Sequence, residues 1–99
     1  MTYPLTIEPE AKDDLERAYI WYEDRRPGLG RAFLERVEEL FDRLRQTPEM
    51  HAATYRNVRQ TLVKRFPYVV CYTVEAAHVY VIAVFHGHRD PEAWKSRAR

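Results

Sequence analysis

Two stretches of this chain carry side chains able to hold anions or move protons: Lys64-Arg65-Phe66-Pro67-Tyr68 and His86-Gly87-His88-Arg89-Asp90. Arg59 adds a third basic position just upstream. Cations with an imidazole are part of what phosphodiester cleavage through a 2′-hydroxyl requires. That reaction also needs a base for the hydroxyl, an acid for the leaving oxygen and positive charge against the phosphorane. Arg59, Lys64, Arg65 and Arg89 supply the charge. His86 supplies one proton-transfer group, because the imidazole titrates near working pH. A second such group is not evident. Glu75 falls at the opposite end of the strands from His86, Glu92 belongs to a terminal helix, Tyr72 sits mid-strand, and His88 beside His86 disfavours a second charge there. A metal reading of His86-x-His88 fails for want of a third ligand, since Cys71, His51 and His78 lie at no motif spacing from it. No catalytic residue is assigned, and no metal or cofactor is expected. If the chain is a nuclease, His86, Arg65 and Arg89 are the residues that would act.

A second signal lies in the first half. At about 100° per residue on a helix, Ile20 falls opposite the stripe of Leu15, Ala18 and Tyr22, and Trp21 lies well off its centre. Leu34 flanks the corresponding stripe further on. Single exposed apolar residues need no explanation, but three near one hairpin point to a groove for a partner.

These residues need elements to hold them. Tyr3 to Glu8 alternates as a short strand, and Pro9 suits the first turn of a helix. Ala11, Leu15, Ala18, Tyr19 and Tyr22 then repeat at helical spacing, until Pro27-Gly28-Leu29-Gly30 stops them. Phe33, Val37, Leu40, Phe41 and Leu44 repeat the same spacing, so two helices pack as an antiparallel hairpin ending at Thr47-Pro48. Asn57 to Val63 reads as a weak strand. Tyr68–Val74 and Val79–Phe85 are two strands joined by Glu75-Ala76-Ala77-His78, too apolar to face water on either side and so central in a sheet. Asp90 and Pro91 start a short last helix that carries Trp94 as a core lid. The expected architecture is α+β: one sheet covered on one face by a helical hairpin.

The totals bound the rest. The 99 residues make one expected domain over 1–99, and 45% hydrophobic content argues for a folded globule. Residues 1–50 carry eight Lys/Arg against twelve Asp/Glu, a balance of −4, while residues 51–99 carry eight against three, a balance of +5. The strand-rich half therefore presents positive potential to anionic partners. Cys71 stands alone in an apolar strand, the N-terminus lacks a signal-peptide pattern, and no segment reaches membrane-spanning length. These features predict a cytoplasmic protein with no membrane partner.

In order and spacing, Ala11-Lys12-Asp13-Asp14-Leu15 with Trp21-Tyr22, Pro27-Gly28-Leu29-Gly30 leading to Phe33-Leu34, Arg65-Phe66-Pro67-Tyr68, and His86 through Trp94 make a pattern spanning nearly the whole chain. It resembles the RelE/ParE superfamily of bacterial type II toxin–antitoxin toxins, in its ParE-like branch. The resemblance implies helices on one sheet face, an N-terminal strand, three further mainly antiparallel strands and a short C-terminal helix. It also implies a cognate ParD-like antitoxin, with operator DNA reached through that antitoxin. RelE-like members cut messenger RNA in the ribosome, whereas ParE-like members poison DNA gyrase and lack the complete catalytic set. The missing acid–base partner places this sequence with the second group. Gyrase is then the expected target, met through the basic rim of Arg59, Lys64, Arg65, His86 and Arg89, with Ile20, Trp21 and Leu34 facing the antitoxin. Two alternatives stand beside it: a ribosome-dependent mRNA interferase, and a toxin-fold protein that is no longer toxic and acts only as a partner or co-repressor.

Overall fold

The computed structural model describes residues 2–89 and 92–98. Strand β1 (Leu5–Ile7) leads into helix α1 (Pro9–Arg25), helix α2 (Leu29–Gln46), strands β2 (Ala53–Tyr55), β3 (Val58–Leu62), β4 (Tyr68–Glu75) and β5 (His78–His86), and a closing 3₁₀ turn (Ala93–Arg97). The five strands lie in the order β1-β5-β4-β3-β2, with β1 parallel to β5 and the other pairs antiparallel. The α+β architecture matches the expectation, and the two apolar strands are indeed central.

Three local features differ from the sequence reading. Pro27 and Gly28 form the turn between the helices, but Leu29 and Gly30 already belong to α2. Gly28 has φ +91° and the Leu29 N–H donates to the Arg26 carbonyl at 3.0 Å, a type II turn with proline and glycine where that turn wants them. Gly30 is required for closeness, since a Cβ there would stand 2.7 Å from the Tyr19 carbonyl oxygen. The strand β2 does not stand out in the sequence; it is three residues long, too short to show a period. The last element is a 3₁₀ turn, and the expected cap at Asp90 and Pro91 lies outside the described residues.

The core has two parts. Phe33, Val37, Leu40, Phe41 and Leu44 of α2 pack with Ala11, Ala18 and Tyr22 of α1 against Val70, Tyr72, Val79 and Val81. On the opposite sheet face, Val58, Cys71, Ile82 and Ala83 share a smaller cluster with Trp94, which is buried as a lid. Between the two faces β5 changes phase. Cys71 pairs with Ala83 but Tyr72 pairs with Val81, so one extra residue is accommodated at Ile82. This bulge places Val79, Val81 and Val84 together on the helix side while Ile82 and Ala83 both face the other way.

Candidate functional site: a basic rim beside a groove

The rim is built at the end of the sheet where β4 begins and β5 stops. Tyr68 pairs with His86, and the Gly87 N–H donates to the Pro67 carbonyl at 2.9 Å, tying the loop before β4 to the turn after β5. Phe66 roots that loop. Its ring lies 5.0 Å from Tyr22 and 5.3 Å from Phe33, edge-on to both, so Lys64 and Arg65 are carried on a loop anchored under the helical hairpin. Arg65 itself adopts φ +71°, a left-handed conformation unusual for a residue with a Cβ, and its side chain is exposed.

His86 is engaged by its own turn. Its Nδ1 accepts the backbone N–H groups of His88 and Arg89, each at 3.2 Å, so in this arrangement that nitrogen is an acceptor. The ring lies 5.5 Å from Tyr68 and 5.9 Å from His88. Arg89 donates to the Tyr68 hydroxyl at 3.1 Å and its guanidinium lies 5.4 Å from the Trp21 ring centre. Arg25 also lies over that indole, its guanidinium 3.2 Å from the ring centre.

Rim residues therefore divide. Lys64, Arg65, His86 and Arg89 share one end of the sheet. Arg59 does not join them: it pairs across from Tyr72, three residues before Leu62 on β3 and so roughly 10 Å from that end along the strand. Its guanidinium donates to the Glu49 and His51 carbonyls, which makes it a clamp on the α2–β2 connection. Tyr72 serves the same loop, since its hydroxyl donates to the Pro48 carbonyl at 2.7 Å. Burial pushes that phenol up to about 12, against a smaller lowering by Arg59. Of the three apolar candidates, Ile20 is 48% and Trp21 36% exposed, as expected. Leu34 is partly buried and packs against the main core.

Trp21 also lines a groove of about 310 Å³ together with Arg17, Tyr68, His86, Arg89 and Trp94. Its floor holds Asp14, only 8% exposed, which accepts from the Val84 N–H (2.9 Å), Arg17 (2.7 Å) and Arg97 (2.6 and 3.2 Å). Asp14, Arg17 and Arg97 were not singled out from the sequence. The signal was there for Asp14: it sits three residues after Ala11 and four before Ala18, so an acid lies on the buried stripe of α1. Among the described residues no group of three metal-ligating side chains converges, and no helix is long and apolar enough to cross a membrane.

A helical hairpin on one face of a mixed five-stranded sheet is the fold that the resemblance to RelE/ParE-type toxins implies. Matching the model "ParE toxin of type II toxin-antitoxin system, parDE" over residues 5–91, the chain belongs to that family. It is 29% identical over 94 residues to Toxin ParE2 of Mycobacterium tuberculosis, covering 94% of this chain and 90% of the relative. Among solved structures, the chromosomal ParDE toxin–antitoxin system of P. aeruginosa superimposes with a TM-score of 0.76 at 18% identity, over 86% of this chain and 96% of that one. A mutant of the E. coli toxin RelE in the free state gives 0.73 at 18% identity, over 99% and 95%. The toxin–antitoxin complex RelBE2 of M. tuberculosis gives 0.60 at 20% identity, over 87% and 99%. At those identities the likeness is one of fold, and both branches of the superfamily share it.

Proposed function

We propose that this toxin inhibits growth by poisoning DNA gyrase, as one domain over residues 1–99 acting in the cytoplasm, and that a ParD-like antitoxin neutralises it and links it to operator DNA. The observation that carries the reading is the state of His86. Its Nδ1 is occupied by two turn amides, and the hydroxyl beside it, Tyr68, already takes a hydrogen bond from Arg89. Glu75 is at the far end of the hairpin, where it pairs with His78. Tyr72 is buried and bonded to Pro48. On the rim His86 and Tyr68 are thus both engaged by their own neighbours, beside the cations Lys64, Arg65 and Arg89, which suits holding an anionic surface better than cleaving a phosphodiester. Arg65 and Arg89 are the contacts for the target, and the acid-poor second half of the chain leaves their field uncancelled.

Purified protein should inhibit gyrase supercoiling and leave ribosome-bound mRNA intact. In cells, induction should raise the SOS response before it arrests translation. Codon-phased cuts in a ribosome toeprint would overturn the reading in favour of an interferase, and normal growth with intact antitoxin binding would identify a non-toxic partner. Exposed charges contribute only about 0.2–1 kcal/mol each to folding, so the Arg65→Glu/Arg89→Glu double variant should keep its circular dichroism and lose toxicity. A folded, fully toxic double variant removes the rim from the mechanism.

A further inference from the structure

Among the described residues, strand β5 continues beyond Ile7 without a strand on its outer side, and the last backbone bond from that side is the Glu8 N–H to the Val81 carbonyl at 2.9 Å. Side chains take over from there. The Ile82 carbonyl accepts from Arg97 at 3.1 Å, and the Val84 N–H donates to Asp14 at 2.9 Å. An arginine and an aspartate, themselves paired at 2.6 Å, stand where a neighbouring strand would place its amide and its carbonyl. Arg97 belongs to the same five-residue turn as Trp94, whose ring is buried with Cys71, Ile82 and Ala83. One short element therefore both closes this edge and covers the sheet face away from the helices. A 3₁₀ turn of that length has little stability of its own and stays in place through its side-chain contacts. Asp14 has a second partner that does not depend on the turn: Arg17, at 2.7 Å, on its own helix and largely exposed. If Arg97 leaves, the carboxylate keeps a cation and the Val84 amide.

We infer that residues 93–97 are a strap that opens as a unit, latched by Arg97 on Asp14 and the Ile82 carbonyl, so that the sheet face bearing Cys71 alternates between covered and open. The inference is independent of the gyrase reading, since it concerns the chain's own closure and not its target.

The single cysteine of the chain reports on the opening. Reaction of Cys71 with an aromatic disulfide reagent is followed at one fixed pH, because burial pushes the thiol up to about 12. Arg97→Gln should speed labelling by about tenfold or more through local opening, and labelling of the wild type should not respond to low urea, because opening a short segment exposes little surface. Arg97→Lys keeps the charge but cannot bridge Asp14 and Ile82 together, so its rate should fall between; it also serves if Arg97→Gln does not fold. Val37→Ala loosens the main core and leaves the strap contacts alone. An unchanged rate in both Arg97 variants overturns the latch. So does a Val37→Ala protein that, at equal thermal midpoint, labels as fast as the Arg97 variants, because exposure of Cys71 would then follow general loss of stability.

Discussion

Glu23 supplies a cap that α2 does not carry in its own sequence. The residue before α2 is Gly28, which has no side chain to offer the unpaired amides of the first turn. The Glu23 carboxylate, from the last turns of α1, accepts the Gly28 and Gly30 N–H groups at 2.9 Å each. These backbone donors, Gly28 first, hold the carboxyl below its ordinary value of 4.5. A lowered carboxyl stabilises the fold above its unfolded value and ceases to do so as pH falls through the folded one. Glu23→Gln should therefore lower the thermal midpoint at pH 7, and the gap to wild type should close in acid below about pH 4.5. A gap that does not narrow as the pH falls would show that Glu23 acts by shape and not by charge. Asp14 teaches the complementary lesson about legibility. Its place on the buried face of α1 could be read from spacing, but its partners Arg97 and Val84 lie 83 and 70 residues away, and nothing local in the sequence announces them.

At the scale of elements, the β4–β5 hairpin is the most informative piece. Its strands were legible because two runs rich in Val, Ile and Tyr have no polar alternation to place either face in water. Its turn was not legible in detail. Ala76 and Ala77 have φ +50° and +60°, the left-handed pair of a two-residue type I′ turn, which Asn-Gly normally supplies. Holding alanine there costs about 1–2 kcal/mol per residue. Ala76→Asn/Ala77→Gly should thus stabilise the protein by about 1 kcal/mol or more and raise the midpoint by about 4–8 °C for each kcal/mol. No rise on differential scanning calorimetry would mean the turn has some other geometry. The helical stripes were legible for the same physical reason as the strands, since 3.6-residue spacing leaves few other assignments. Strand β2 escaped because the three residues Ala53-Thr54-Tyr55 are too few to establish a period, and its pairing with β3 is set by neighbours.

Across the whole molecule, one side chain joins the layers. Phe41 of α2 is almost fully buried in the core that α1, α2 and the sheet share. Truncating it removes contacts on every side, and Phe41→Ala should cost about 3–5 kcal/mol, read as a fall in the urea midpoint with little change in slope. An unchanged midpoint would mean that α2 turns a different face inward. The rim was only half legible at this scale. The sequence placed basic residues near both strand ends, but could not say that Arg59 sits well along the sheet from the others, because strand register is a property of pairing partners. The bulge at Ile82 sharpens the point. Side chains of a strand alternate strictly, so a single additional residue reverses which side of the sheet everything beyond it occupies. With Ile82 removed, His86 would leave Tyr68 and the helix side and project with Phe85's present neighbours. The address of the rim is in this sense a parity, odd or even, fixed by chain length. Two chains with the same histidine after strands one residue different in length would present it to opposite worlds.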